Sequence, residues 1–168
     1  MSFRIFVSGS PGVGKTTLAK KVAKALGDRA GGFYTEDVRI GGRRIGFVAV
    51  DLTSGKRVWL AKEGLPGPRV GRYGVNVDAA SLILQAIEGG RRKDVCIIDE
   101  VGPMEMHIPG FMDAVLTVLE RGNVIATIHR SLFKRFCSAY SARSFWLTRE
   151  NREQVYKEIL GIIHGQQV

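Results

Sequence analysis

Gly9-Ser10-Pro11-Gly12-Val13-Gly14-Lys15-Thr16 satisfies the pattern G-x-x-x-x-G-K-S/T at every fixed position. Its flanks are as informative as the motif. Arg4-Ile5-Phe6-Val7-Ser8, just before it, is a short apolar run of strand character. From about Lys15 onward Leu18, Val22, Ala25 and Leu26 recur at helical spacing, with Lys20, Lys21 and Lys24 on the opposite face. A strand, a glycine-rich turn and a helix in this order gather backbone N–H groups around an anion, and the helix dipole adds a positive field. On this reading Lys15 reaches the β- and γ-phosphates of a nucleotide, the Thr16 hydroxyl ligates Mg²⁺, and Thr17 meets the α-phosphate.

Outward from the loop, strand and helix patterns alternate, with one all-strand stretch inserted. Gly32 to Val38, Arg44 to Leu52 and Lys56 to Ala61 read as a β-meander, its turns marked by Gly41-Gly42 and Thr53-Ser54-Gly55. A helix is predicted over Asp78 to Glu88, capped by Asp78 and closed by Gly89-Gly90. Further helices are predicted near Pro109 to Arg121, Leu132 to Ser138 and Arg149 to Ile163. Val95-Cys96-Ile97-Ile98 and Val124-Ile125-Ala126-Thr127-Ile128 read as buried strands, and Ser144 to Leu147 as a last one. The expected fold is α/β: a mainly parallel P-loop sheet with helices on both faces and a small inserted meander, in one domain over residues 1–168. Ligands of such sheets sit at the carboxyl ends of the strands.

One of those ends carries the second motif. Val95-Cys96-Ile97-Ile98-Asp99-Glu100 has the form of a Walker B segment, an apolar strand ending in carboxylates about 80 residues after the loop. Asp99 is placed to hold Mg²⁺, and Glu100 to polarise a water for in-line attack on the γ-phosphate. The intervening length leaves room for a further strand between the loop strand and the acidic strand. Thr127 is a candidate γ-phosphate sensor and Arg130 a candidate for neutralising transition-state charge, because both fall where the next strand ends. His129 reads equally well as a hydrogen-bonded structural residue. Thr148 to Arg152 reads either as a nucleotide contact or as a capped helix start. Glu105 and His107 are within reach of the pocket, whereas Trp59, Trp146 and Phe33 read as packing.

Composition narrows the classes. In 168 residues, 45% are hydrophobic and 24% charged, ordinary for a globular chain. Two cysteines, Cys96 and Cys137, make no disulfide framework and lie in no metal-ligand spacing. No apolar run approaches the roughly 20 residues that span a bilayer, so no membrane partner is expected and a cytoplasmic location is. The net charge of +9 would draw polyanions, which leaves nucleic acid open as a partner beside nucleoside triphosphates. Oligomeric state is not readable.

Taken together, the loop, Gly31 to Glu36, Arg43 to Phe47, Arg72 to Asp78, Asp99-Glu100-Val101-Gly102-Pro103-Met104-Glu105-Met106 and Thr148 to Arg152 resemble the thermophilic nucleoside-triphosphatase family, which includes the human cancer-related nucleoside triphosphatase. The resemblance covers nearly the whole chain. It implies slow hydrolysis of ATP, GTP, CTP, UTP and TTP with little base preference, in a RecA-like α/β fold. It also implies that Gly9 to Thr16 and Val95 to Gly102 are the nucleotide-binding stretches. Pro103 departs from the lysine of many relatives. Two alternatives remain at this stage: a nucleotide or polynucleotide kinase with an acceptor pocket near Leu65 to Arg72, and a nucleotide-gated nucleic-acid-binding switch.

Overall fold

The computed structural model describes residues 2–165. Elements follow in the order β1 (Arg4–Gly9), α1 (Lys15–Leu26), β2 (Ala30–Ile40), β3 (Arg43–Asp51), β4 (Arg57–Glu63), β5 (Arg69–Val70) and β6 (Tyr73–Val75). After these come α2 (Ala80–Arg91), β7 (Val95–Val101), α3 (Phe111–Arg121), β8 (Val124–Ile128), α4 (Arg130–Ala139), β9 (Arg143–Leu147) and α5 (Arg152–Gly165). All the strands join one sheet in the order β5-β6-β4-β3-β2-β7-β8-β1-β9. Strands β2, β7, β8, β1 and β9 pair in parallel, and β3, β4, β6 and β5 extend the sheet antiparallel from β2.

The apolar runs are continuous because both faces of the parallel half are covered. Phe6, Phe33, Cys96 and Ile98 point to the side packed by α2, α3 and α4, with Ile83, Phe111, Val115 and Phe136. Ile5, Val7, Ile97 and Ile125 point to the other side, against Leu18 and Val22 of α1 and Ile159 of α5. Among the described residues no helix is long and apolar enough to cross a membrane.

Three local expectations change. The strand lying between β1 and β7 is β8, drawn from later in the chain, while β2 lies on the far side of β7. The α2 region starts with a 3₁₀ turn at Val77–Ala79 capped by Asn76, whose side chain accepts the Asp78 N–H at 3.2 Å, so Asp78 is not the cap. Gly89 and Gly90 lie inside α2 rather than ending it. A Cβ on Gly90 would stand 2.6 Å from Cys96 Sγ and 2.8 Å from the Gly32 nitrogen. The glycine there brings helix and sheet together; it does not stop a helix.

Candidate active site

The loop closes on itself around β1 and α1. Val13 N–H donates to Ser10 O at 3.2 Å, and Gly14 takes φ 108° at the helix N-cap, a conformation that glycine adopts without steric cost. Val13 is buried against the α1 side of the core, while Ser10, Pro11 and Gly12 stay exposed with Lys15 and Thr16 half-buried behind them. The Lys15 ammonium donates to Gly9 O at 3.0 Å, which folds the side chain back over the loop. Thr17 is exposed one residue further along.

Asp99 is fully buried at the end of β7 and is held from three directions. The Thr127 hydroxyl on β8 donates to it at 2.6 Å, the Thr35 N–H on β2 at 3.4 Å, and the Thr16 hydroxyl on α1 also hydrogen-bonds to it. Burial raises its pKa, opposed by these hydrogen bonds and the Lys15 charge. Thr127 is 1% exposed, so its hydroxyl anchors Asp99 and is not free to sense a phosphate.

Glu100 follows at a bulge. Asp99 pairs with Thr127 and Val101 with Ile128, which leaves Glu100 as the extra residue, its side chain re-aimed by the break in the ladder. The Asp99–Glu100 peptide is cis. Burial, then the neighbouring Asp99, pushes the Glu100 carboxyl up to about 7, while Lys15 pulls it down. Glu105, on the 3₁₀ turn Glu105–His107, is 4% exposed. Its carboxylate accepts backbone N–H groups of Glu105 and Glu100. Burial and the Glu100 charge hold its pKa well above the ordinary carboxylate range. Both carboxylates converge over Gly102, where the position of a Cβ would lie 3.0 Å from Glu100 Oε1 and 3.1 Å from Glu105 Oε1.

The remaining expected residues fall further away. Val95, Cys96, Ile97 and Ile98 are sheet interior, at most 1% exposed, and serve to hold the acids rather than to line a pocket. Val101 is equally buried. Arg130 is exposed at the start of α4, and His129 caps that helix by accepting the Ser131 N–H at 3.2 Å. The segment Leu65 to Arg72 is closed against β6, with Val75 N–H donating to Pro68 O at 2.8 Å. A cleft of about 610 Å³ runs instead along α1, lined by Thr17, Lys20, Lys24, Tyr34 and Leu52 among others, and neither acid lines it. Lys20 is committed there to Glu36 at 2.9 Å. Sequence reasoning missed Thr35 and the Thr127–Asp99 bond, since both depend on which strands become neighbours.

A glycine loop between a parallel strand and a helix, with an acid pair at the end of a strand one place removed, defines a P-loop NTPase-like fold. The model of the family described as NTPase matches residues 4–160, and the chain belongs to that family. It is similar to nucleoside-triphosphatase THEP1 of Pyrobaculum aerophilum, 43% identical over 160 residues that cover 94% of this chain and 91% of that one. The crystal structure of THEP1 from the hyperthermophile Aquifex aeolicus superposes with a TM-score of 0.85 at 38% identity, covering 96% of this chain and 99% of that one. The solution structure of a human cancer-related nucleoside triphosphatase gives 0.78 at 35% identity, covering 98% of each chain.

Proposed function

We propose that the chain hydrolyses nucleoside triphosphates to the diphosphate and phosphate, with little regard to the base. The observation that carries this reading is Glu100: a half-buried carboxylate, set at a β-bulge beside Asp99 and within the field of Lys15. A carboxylate so placed can orient the attacking water and take its proton. Loop N–H groups and Lys15 neutralise charge on the β- and γ-phosphates. Glu100 accepts a proton from the attacking water, a new P–O bond forms at the γ-phosphorus, and the bond to the bridging oxygen breaks with its electron pair leaving on the diphosphate.

Mg²⁺ fits the donor set, since the Asp99 carboxylate and the Thr16 hydroxyl are hard oxygen ligands already in hydrogen-bonding contact with each other. The bound cation would supply Lewis-acid polarisation of the β- and γ-oxygens. Its charge also acts on the acids in the opposite sense to burial, favouring their ionised forms.

Incubation with γ-labelled ATP, GTP, CTP, UTP and TTP and Mg²⁺ is expected to release free phosphate from each, at rates within about tenfold of one another. Label that moves faster onto a nucleoside monophosphate or a 5′-hydroxyl oligonucleotide than into phosphate would replace hydrolysis by a kinase reaction. Glu105 enters as a positioning residue through the backbone N–H of Glu100. Glu105→Met is expected to lower kcat about tenfold with KM unchanged, the size of one hydrogen bond. Glu105→Gln keeps an acceptor oxygen and should recover most of the loss. Equal kcat in the wild-type and Met proteins would leave Glu105 with a purely structural part.

A further inference from the structure

We infer that the guanidinium of Arg152 is the platform on which the nucleotide's base rests, and that it holds the base by its flat face without reading its edges.

Sheet order gives the direction in which a bound triphosphate runs. The acids that face the γ-phosphate stand on β7, separated from β1 by β8, while β9 flanks β1 on its other side. With the γ-phosphate toward β7, the α-phosphate and the nucleoside leave the loop toward β9. The end of β9 is pressed against the loop there: a Cβ on Gly9 would stand 2.8 Å from Leu147 O.

The chain beyond Leu147 is a locked turn. Asn151 Oδ1 accepts the Thr148 N–H at 2.7 Å, Asn151 N–H donates to Thr148 Oγ1 at 3.2 Å, and Asn151 Nδ2 donates to Trp146 O at 3.0 Å. The turn delivers Arg152, the first residue of α5, onto the loop. Its Cδ and one guanidinium nitrogen both lie 3.4 Å from the point where a Cβ on Gly14 would be. The Arg152 side chain takes part in no hydrogen bond or ion pair among the described residues. Lys21 of α1 is committed to Glu153 at 3.3 Å.

Two chemical properties then combine. A guanidinium plane attracts the π-face of any base, purine or pyrimidine. The Asn151 amide is held by the turn through both its oxygen and its nitrogen, which fixes its orientation. A site whose hold on the base is a stacking plane binds nucleotides in common rather than one of them. This inference rests on the triphosphatase reading and supplies a physical cause for its indifference to the base.

The test compares binding rather than turnover, in the presence of Mg²⁺. The probes are non-hydrolysable analogues of ATP, GTP, CTP and UTP, with inorganic tripolyphosphate as the probe that lacks a nucleoside. Arg152→Ala is expected to weaken all four analogues about tenfold and to leave tripolyphosphate binding unchanged. Arg152→Lys, which keeps the charge and loses the plane, should lie close to Ala. Three results would overturn the inference: tripolyphosphate weakened equally, Lys binding as well as Arg, or a loss confined to one base. No change with any probe would overturn it as well. Because tripolyphosphate reports on the loop alone, and no reading depends on phosphate release, failure of the hydrolytic reading is visible separately, as wild-type protein that binds analogues yet releases no phosphate.

Discussion

Glu100→Gln is expected to keep triphosphate binding within about threefold of wild type and to cut phosphate release by about 10²–10⁴-fold, the range for loss of a general base. The amide is nearly isosteric, so the bulge at β7 and the Asp99 contacts stay in place. What disappears is the capacity to take a proton. Binding measured by a fluorescent triphosphate analogue and turnover measured by phosphate release separate the two effects. Turnover within threefold of wild type would remove Glu100 from the chemistry and leave water activation to another group.

Gly32→Ala is expected to have the largest effect on the fold. Gly32 sits in β2 at φ 111°, and an added Cβ would stand 1.9 Å from the carbonyl oxygen of Ile97 in the adjacent strand β7. The Ile97 oxygen is backbone and the added Cβ is fixed rigidly to backbone, in a parallel ladder where Gly32 pairs with Ile97, so no side chain can swing aside to relieve the contact. The positive φ adds its own strain for any residue with a Cβ. A loss of at least about 3 kcal/mol follows, which for a chain of this size lowers Tm by about 6–12 °C. Because β7 carries Asp99 and Glu100, the strand shift should also reduce turnover in whatever protein remains folded. A Tm within 2 °C of wild type, measured by calorimetry, would contradict the steric argument.

The legible parts of this molecule are those written in consecutive residues. The loop, its strand and its helix follow from eight residues and their two neighbours, because glycine turns, cation and hydroxyl act locally. Asp99 and Glu100 are readable for the same reason: an apolar run that ends in acids states its own burial. Strand order is not local, which is why β8, rather than a strand from the intervening 80 residues, turned out to separate β1 from β7. Gly89-Gly90 shows the same limit from the other side. Two adjacent glycines signal a helix end when only the chain is considered, yet here they admit Cys96 Sγ and the β2 backbone. The three hydrogen bonds to Asp99 and the contact of Arg152 with Gly14 all join residues distant in sequence. No pattern within a window of a dozen residues contains them.

The hold on Asp99 has a consequence for the order in which the molecule assembles. Its hydrogen bonds to Thr127 and Thr35 span 28 and 64 residues of chain, and the one to Thr16 reaches back to the other side of the antiparallel extension. Contacts of such separation close late, since each must first offset the entropy of the loop it draws shut. The glycine loop can form early, from local structure alone, but the carboxylate opposite it is fixed only when three strands and a helix have met. During refolding, affinity for a cation-bound triphosphate should therefore emerge together with the last cooperative step, and a nascent chain that has made only its first strand and helix carries the cradle without the anchor.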